Sequence, residues 1–323
     1  MEKLLQWATA QQSDDPEVRA RAPAPDPKVL AQVLGADTGK DEVTLMKEDI
    51  SVVLCDDPRI SIDDKLAALE DFELLIQNLD NANNISPMGI WPEINKLYNY
   101  QGEEQDEVRG MAALITGTAV QNNSKCQDDY LNIVGKDGMT SLLTLASPIG
   151  NYNVRARALY AISALVAHHG GLYKLFTECD GWKILQESLS ANFTSDRKDT
   201  KVLLRLLNLL KSLLYDEITL HEAVDKGDSG MNMTRVEKPI VATKEQRFQI
   251  LKEHDIISTI LQKLSSETSL EVNERVINIL HYIHEHKYNF SSDDKELLKT
   301  ALGSISNEKY NAEELKSIQS III

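Results

Sequence analysis

One pattern of small and apolar residues, at relative positions one, two, five and nine, recurs along this chain and constrains its fold. Residues at these offsets lie on one face of an α-helix, because the helix turns once in about 3.6 residues. The first four copies begin at Ala68, Ala112, Ala158 and Leu206, at intervals of 44, 46 and 48 residues (112 − 68, 158 − 112 and 206 − 158). Such intervals are close to the period of armadillo and HEAT units, so the sequence predicts a stack of helical repeats.

Each copy predicts the buried stripe of one long helix. The first four stripes are Ala68-Leu69-Phe72-Ile76, Ala112-Ala113-Thr116-Val120, Ala158-Leu159-Ile162-Val166 and Leu206-Leu207-Leu210-Leu214. A fifth copy, Val276-Ile277-Leu280-His284, comes after a longer interval, because a polar segment near 225–244 is inserted before it. Its last position holds a histidine, which we expect to be partly buried at the end of the stack.

A shorter helical segment, a break and a second apolar run follow each stripe. The predicted shorter segments are Gln127–Val134, Leu172–Glu178 and Gln246–Lys252, and the breaks fall at Asp137-Gly138, Asp180-Gly181 and His254-Asp255. We expect glycine to supply the left-handed conformation that ends a helix, and the neighbouring aspartate to cap the next one. Three helices per unit is the armadillo plan. The predicted fold class is therefore all-α, an armadillo-like right-handed superhelical solenoid with a flexible N-terminal segment.

The first part of the chain departs from the repeats. Arg19–Lys28 is too rich in proline to be helical, whereas Met1–Gln12 contains Leu4, Leu5 and Trp7 in a pattern typical of a short amphipathic helix. We interpret 1–42 as a flexible segment and 43–323 as the repeat domain, with its insertion near 225–244. The N-terminal residues fit either a hydrophobic tag on a tether or a capping helix that covers the first repeat.

Charge narrows the classes of partner. The chain has 50 Asp and Glu residues against 34 Lys and Arg residues, a formal net charge of −16 and a pI near 4.9. This balance repels phosphate backbones, and the sequence contains no local basic patch, so we expect no nucleic acid partner. Acidic helix faces favour basic partner surfaces, although many of these carboxylates serve to solvate the helices.

Cysteine use and hydropathy indicate the compartment. Cys55, Cys126 and Cys179 are odd in number and far apart, without CxxC spacing, which favours free thiols in a reducing compartment. The sequence contains no apolar run typical of a signal peptide or a membrane-spanning helix. We therefore expect a cytoplasmic protein with no membrane contact.

Three short motifs resemble chemical sites but lie in the wrong context. Gly227–Gly230 is similar to the nucleophile loop of chymotrypsin-type proteases, yet it lies in the polar insertion without a strand-built His and Asp. Gly35–Lys40 is one residue short of a phosphate-binding loop, and Asp41 replaces its Ser or Thr. The cluster His281–His286 could bring metal ligands onto one helix face, but His284 also holds a stripe position. We expect no enzyme, no metal site and no cofactor.

Five short runs of sequence carry a resemblance to a known family. They are Met1–Trp7, Pro25–Lys28, Leu45–Glu48, Phe72–Asn84 and Gly117–Asn123. In this order they resemble the fungal armadillo-type nucleotide exchange factors of heat shock protein 70 (DnaK-type) chaperones. Beyond about Asn192 the similarity is one of helical pattern alone.

The resemblance implies a non-enzymatic chaperone cofactor. Its curved stack would bind the ATPase domain of a cytosolic heat shock protein 70 and hold one lobe displaced, so that ADP leaves and ATP rebinds. This effect requires tighter binding to the open arrangement of the lobes than to the closed one. The N-terminal segment, with Leu4, Leu5 and Trp7, would occupy the peptide-binding domain of the chaperone and help to free the client. We expect the protein to act as a monomer.

Two groups of residues are predicted to bind the ATPase domain. The first group follows from the resemblance and consists of Asn81, Ala82, Asn83, Asn84, Asn122 and Asn123. We expect Asp80–Asn84 to end the first stripe helix, where a partner backbone can approach the small Ala82. Helix packing is the alternative role for Ala82.

The second group is Arg157 and Arg205, each of which precedes a stripe by one residue. The register places both on one face, 48 residues apart (205 − 157). They would form charge-assisted pairs with acidic groups of the chaperone. Internal salt bridges to neighbouring acids are the alternative.

Two other functions fit parts of the sequence. An armadillo adaptor would bind extended basic peptides such as nuclear-import signals, but Trp7, Trp91 and Trp182 do not recur in one stripe position, as the rungs of such a groove would. A hydrolase would use Ser229 in the Gly227–Gly230 loop and lose activity on Ser229→Ala. The resemblance favours the exchange factor over both.

Overall fold

The architecture comes from a computed structural model that describes residues 41–102, 104–214, 242–306 and 309–322. Helices, turns and loops make up these ranges, and no β-strand occurs within them. In chain order the helices are α1 (Glu42–Leu54), α2 (Ile62–Leu75), α3 (Leu79–Asn84), α4 (Trp91–Leu97), α5 (Gln105–Val120), α6 (Ser124–Ile133), α7 (Gly135–Leu145), α8 (Tyr152–Val166), α9 (Gly170–Glu178), α10 (Gly181–Ser190), α11 (Arg197–Leu214), α12 (Lys244–Glu253), α13 (Ile256–Leu261), α14 (Leu270–Glu285), α15 (Ser292–Ser304) and α16 (Ala312–Ser320).

Local sequence determines where several helices begin. At the start of α2 the Asp64 backbone N donates to Ser61 Oγ at 3.1 Å, and the Ser61 backbone N donates to Asp64 Oδ2 at 2.9 Å. Thr243 and Gln246 form the same capping box at the start of α12. Each box satisfies backbone N–H groups that the first turn of a helix otherwise leaves unpaired. The boundary is therefore fixed by side chains within one turn of it.

Five long helices carry the predicted stripes and stack in chain order. They are α2, α5, α8, α11 and α14, and each contacts the next. Every stripe residue of the first four copies is buried, which supplies the main stabilisation of the stack. In the fifth copy His284 is half-buried, with Nε2 3.0 Å from Ser320 Oγ of α16. The predicted all-α stack is confirmed.

Among the described helices, α5 and α8 make the most extensive contact, and two glycines make it possible. A Cβ at Gly110 would lie 2.9 Å from Arg157 Nη1, and a Cβ at Gly117 would lie 2.5 Å from the Tyr160 ring. Glycine inside a helix costs about 1 kcal/mol relative to alanine. Here the absence of a side chain lets Arg157 and Tyr160 lie across the neighbouring helix.

Three helices per unit are observed, as predicted, in the triplets α6–α7–α8, α9–α10–α11 and α12–α13–α14. Gln127 joins the first helix of one triplet to the last. Its Nε2 donates to the backbone carbonyls of Ala164, Leu165 and Ala167 at 2.9, 3.0 and 2.9 Å. These carbonyls belong to the last turn of α8 and its C-cap, where backbone carbonyl groups have no N–H partner within the helix. One amide therefore fixes the position of α6 on α8.

The breaks between the shorter helices differ from the prediction. Asp137-Gly138 lies inside α7, and the left-handed residue is Gly135, with φ of 57°. At the next break the left-handed residue is Asp180, with φ of 60°, and Gly181 begins α10. A Cβ at Gly181 would meet a phenylalanine ring at 2.4 Å, so this glycine is required by packing. Aspartate tolerates the left-handed region, which explains why it can end these helices.

The prediction that Asp80–Asn84 ends the first stripe helix is wrong. Helix α2 ends at Leu75, and a turn separates it from α3. Asn78 starts the new helix, because its Oδ1 accepts a hydrogen bond from the Asp80 backbone N at 2.9 Å. The asparagine-rich run is therefore a helix of its own and packs against the second repeat.

Residues 1–40 of the predicted N-terminal segment, 1–42, and most of the insertion near 225–244 lie outside the described residues, whereas Asp41 and Glu42 cap and begin α1. The two described ends of the insertion are joined by buried Arg247. Its Nη1 donates to the Leu214 carbonyl at 3.1 Å, and its Nη2 donates to the Ala242 carbonyl at 3.3 Å. The stack consequently continues from α11 to α14 across the insertion. Among the described residues, the helices lack the combination of length and apolar character needed to cross a bilayer.

Candidate partner-binding face

A groove with three cations lies where α5, α8 and α11 pack side by side. Its volume is about 220 Å³. It is lined by Leu114, Asn153, Ala156, Arg157, Tyr160, Lys201 and Arg205. We call it the cationic groove. It is formed by the outward-facing positions of the long helices, beside the buried stripes.

Arg205 and Tyr160 are stacked within the cationic groove. The Arg205 guanidinium carbon lies 4.9 Å from the centroid of the Tyr160 ring, a cation–π geometry. The Tyr160 hydroxyl donates to Gln121 Oε1 at 2.7 Å. Partial burial raises the pKa of Tyr160, so the hydroxyl stays protonated as a donor. This hydrogen bond holds the hydroxyl end of the Tyr160 ring, and the face of the ring supports the Arg205 guanidinium of α11.

Arg157 is paired inside the molecule. Its Nη1 lies 2.9 Å from Glu107 Oε2 of α5, and the side chains are 28% and 38% exposed. Exposure of this degree leaves part of the guanidinium accessible from the groove. The pair orients Arg157 and also reduces the positive charge that it offers to a partner.

The cationic groove keeps a net positive charge in an acidic chain. Among the described residues, Lys201 and Arg205 have no carboxylate within 4.0 Å, while Arg157 has Glu107. Lys201 is exposed and Arg205 is half-buried. A cation on a partly desolvated surface attracts carboxylates more strongly than one in bulk water. The groove is therefore suited to acidic side chains of another protein.

The sequence analysis predicted two of the seven residues that line this groove. The predicted shared face of Arg157 and Arg205 is confirmed, and the internal salt bridge expected as the alternative exists for Arg157. Lys201 and Tyr160 were missed. The signal for them was present, because Lys201 lies four residues before Arg205 and Tyr160 lies three after Arg157, on the same helix faces.

The predicted asparagine group forms an internal cluster. Asn81 is 5% exposed, and its Nδ2 donates to the Leu75 carbonyl at 2.9 Å and to Glu42 Oε2 at 2.6 Å. Ala82 is 2% exposed, and its carbonyl lies 3.3 Å from Cys126 Sγ. These two side chains are therefore held in the core. The packing role considered for Ala82 is the one observed, and direct side-chain contact with a partner does not fit either residue.

The remaining members of the group lie beside this core. Asn123 Nδ2 donates to Asn83 Oδ1 at 3.2 Å, and Asn123 Oδ1 accepts from the Cys126 backbone N at 3.3 Å. Asn123 is buried, whereas Asn83 and Asn84 are half-buried and Asn122 is exposed with φ of 54°. The structure thus brings α3 and the start of α6 together. A binding role for Asn83, Asn84 and Asn122 stays a prediction.

Other predicted sites have ordinary contacts or lie elsewhere. The N-terminal group Leu4, Leu5 and Trp7 and the Gly227–Gly230 loop lie outside the described residues. In the histidine cluster, His286 Nδ1 lies 2.8 Å from the Tyr282 carbonyl. Within the described part of the chain, no group of three or more His, Cys, Asp or Glu residues is arranged to hold a metal ion.

Solved structures define the class of fold. A designed armadillo repeat protein in complex with the peptide (KR)4 matches with a TM-score of 0.58 and 14% identity, over 86% of this chain and 98% of that one. The structure of SYS-1 matches with a TM-score of 0.51 and 11% identity, over 87% of this chain and 47% of that one. Identities this low establish the fold alone. The protein is an armadillo-like helical solenoid, as the sequence predicted.

Family models identify the chain more closely. The model for the nucleotide exchange factor Fes1 matches residues 1–85, and the model for the SIL1/FES1/HPBP1 C-terminal domain matches residues 81–318. The chain is 32% identical to the Hsp70 nucleotide exchange factor FES1 of Kluyveromyces lactis, over 99% of each chain. It is 33% identical to the FES1 protein of Candida albicans, over 98% of each chain. The chain belongs to the Fes1 family of nucleotide exchange factors, which are chaperone cofactors and not enzymes.

Proposed function

We propose that this protein promotes nucleotide exchange on a cytosolic Hsp70 chaperone by binding its ATPase domain through the cationic groove. One observation carries the proposal. Three cations, Arg157, Lys201 and Arg205, converge on one face of a chain whose formal net charge is −16. Membership of the Fes1 family identifies the partner as Hsp70, and the groove supplies a surface for its acidic side chains.

Exchange requires binding that differs between two arrangements of the ATPase domain. A factor that binds the open arrangement more tightly shifts the domain toward it, whereas equal affinity for both shifts nothing. The open arrangement holds ADP less tightly, so ADP leaves and ATP can rebind. The stacked helices support this role because each long helix is packed along its stripe, which makes the binding face rigid.

The same linkage gives a reciprocal effect. If binding of this protein weakens the affinity for ADP, ADP must weaken the affinity for this protein by the same factor. The groove therefore has a higher affinity for the nucleotide-free ATPase domain than for the ADP-bound one. The interaction of the cations with the ATPase domain stabilises the open arrangement of its lobes, and no covalent bond forms.

The N-terminal segment has a separate task in this proposal. Leu4, Leu5 and Trp7 occupy the peptide-binding domain of the chaperone as a client peptide would, and thereby help to free the client. The sequence of this segment supports the proposal, because its short apolar run resembles a client peptide of the chaperone's peptide-binding domain. We further propose that the protein acts in the cytoplasm as a monomer.

The adaptor alternative has little support in the described residues. Trp91 and Trp182 are 0% and 2% exposed, so neither can form a rung of a peptide-binding groove. Both instead pack in the core, where Trp91 contacts Tyr130 with ring centroids 5.5 Å apart. We therefore propose the exchange function alone.

The test is the release of fluorescent ADP from purified Hsp70, followed by stopped-flow fluorescence with and without the full chain. The proposal expects accelerated release that saturates with protein concentration. The triple variant Leu4→Ala/Leu5→Ala/Trp7→Ala should still accelerate ADP release but should free a bound client peptide more slowly. Folded protein that leaves the rate of ADP release unchanged would contradict the exchange function.

A further inference from the structure

A second groove lies between α9 and α12, the first helices of two successive triplets. Earlier in the stack, α3 packs on α6 and α6 packs on α9, whereas contact between α9 and α12 is sparser. A groove of about 600 Å³ remains between them. Its floor contains Tyr173, Ala242 and Ile250, and its surface is mainly apolar. We call it the ridge groove.

Carboxylates dominate the rim of the ridge groove. Glu178, Glu245 and Glu253 line it, together with the cation Lys174. Lys174 Nζ lies 3.6 Å from Glu178 Oε1, which neutralises one of the three carboxylates. Within the described ranges Glu245 and Glu253 have no ion-pair partner, and both are exposed. Glu253 Oε1 accepts a hydrogen bond from Gln249 Nε2 at 3.1 Å, which leaves its charge uncompensated. An apolar floor with carboxylates at its edge that lack a cation selects a ligand that is both apolar and basic.

The floor of the ridge groove also carries a buried hydroxyl, that of Tyr173, which is a second observation independent of the charged rim. Tyr173 is 3% exposed, and its hydroxyl has no hydrogen-bond partner among the described residues. Burial raises the pKa of Tyr173 to about 12, so the group stays protonated and can donate. The cost of such an unsatisfied group is relieved when a ligand supplies an acceptor. Because Tyr173 lines the groove, a peptide backbone bound there would pass carbonyl oxygens along the residue that carries this hydroxyl.

We propose that the ridge groove binds an amphipathic basic peptide segment of a partner protein. An apolar side chain of the segment contacts Ile250 and Tyr173, and its lysine or arginine side chains pair with Glu245 and Glu253. This site is distinct from the cationic groove, which has the opposite charge. The two grooves share no lining residue. The proposal does not depend on the exchange function.

The probe for this site is a fluorescein-labelled peptide of lysine and leucine, with the leucines at helical spacing. Its fluorescence anisotropy is measured against the full chain at physiological ionic strength, where charges beyond about 8 Å are screened. We expect saturable binding. Glu245→Lys/Glu253→Lys should weaken binding by about tenfold or more, since it reverses the rim charge. Ile250→Asn should weaken binding by a similar factor through loss of the apolar contact.

Two controls separate the groove from general attraction to an acidic protein. Glu70→Lys/Glu274→Lys makes the same change of charge at two exposed positions outside the groove and should alter affinity by less than about twofold. A peptide of the same composition with the leucines scattered should bind more weakly. Absence of saturation with the full chain overturns the proposal, whether the groove is empty or covered by the chain itself. Equal losses in both charge-reversed variants, or unchanged binding by Ile250→Asn with intact circular dichroism, overturn it as well.

Discussion

The Arg205 guanidinium carbon lies 4.9 Å from the centroid of the Tyr160 ring, so that α8 supports the cation that α11 presents. The orientation of Arg205 in one repeat therefore depends on the position of Tyr160 in the repeat before it. A long arginine side chain loses conformational entropy when a partner fixes it, and an aromatic platform reduces that loss before binding. The cationic groove is therefore partly organised in the free protein.

Removal of the aromatic platform should weaken the binding of Hsp70. Tyr160→Ala removes a cation–π contact of about 0.5–1 kcal/mol, together with the orientation of Arg205, and should lower the affinity by about two- to fivefold. Tyr160→Phe keeps the ring and loses only the hydrogen bond to Gln121, so it should bind nearly as tightly as the native protein. Isothermal titration calorimetry with the nucleotide-free ATPase domain measures both. Equal losses in the two variants would show that the hydrogen bond matters and the platform does not.

Alanine at Gly117 should destabilise the fold although alanine favours helices. Its Cβ would lie 2.5 Å from the Tyr160 ring, so the ring or helix α8 must move. We expect Gly117→Ala to lower the free energy of unfolding by about 1–3 kcal/mol in urea titrations. Gly303→Ala is the matched control in α15, because no atom lies within 4 Å of its added Cβ. It should stabilise the protein by about 0.5–1 kcal/mol. A stabilising Gly117→Ala would refute the close packing of α5 on α8.

Arginine at position 82 should unfold the start of the stack. The sequence predicts that a partner backbone approaches Ala82, but Ala82 is 2% exposed and contacts α6. Ala82→Arg should therefore lower the free energy of unfolding by more than about 2 kcal/mol. Leu79→Arg, on the same helix at a position 59% exposed, should cost less than about 1 kcal/mol. Equal stability of the two variants would mean that Ala82 is accessible.

Asp49 should make stability depend on pH. Burial, with repulsion from Asp71 and Glu48, raises the pKa of Asp49 from 3.8 to about 6. Above the folded pKa the native state holds a charge that the unfolded state accommodates more easily, so this group lowers stability as pH rises between these values. Its Oδ2 has no hydrogen-bond partner among the described residues.

Asp49→Asn should remove this pH dependence. The variant should be more stable than the native protein by about 1 kcal/mol at pH 7, a value reduced because the side chain is partly solvated, and little different near pH 4. Urea unfolding at the two pH values measures the difference. A gain of the same size at both pH values would assign the effect to packing and not to ionisation.

The stack could be predicted because its signal is local and repeated. Leu206, Leu207, Leu210 and Leu214 fall on one helix face by spacing alone, and burial of that face follows from the presence of a neighbouring repeat. The capping box of Ser61 also depends on residues within one turn. Such features are determined by a few adjacent side chains, so they can be read from one sequence.

The misread elements depend on residues far apart in the chain. Asn81 and Ala82 are buried by Glu42 and Cys126, which lie 39 and 44 residues away. Nothing in the local pattern distinguishes these residues from exposed amides at a helix end. Asn78 caps α3 in the structure, whereas the stripe from Ala68 to Ile76 favoured a single helix that continues to Asn84.

The cationic groove was found only in part for a related reason. Its shape depends on how closely α5 and α8 approach, and that distance depends on Gly110 and Gly117. Periodicity gives the face on which a residue lies but not its depth or its neighbours across the next helix. The stacking of Arg205 on Tyr160 therefore required coordinates.

The most direct test of the central claim reverses the charge of the cationic groove. Lys201→Glu/Arg205→Glu should reduce the acceleration of fluorescent ADP release from Hsp70 by about tenfold or more, because acidic groups of the ATPase domain would then be repelled. Lys299→Glu, which changes the charge of an exposed residue on α15, should leave the acceleration nearly unchanged. Circular dichroism should show that both variants are folded. Full acceleration by the folded double variant would contradict the assignment of this groove to the chaperone.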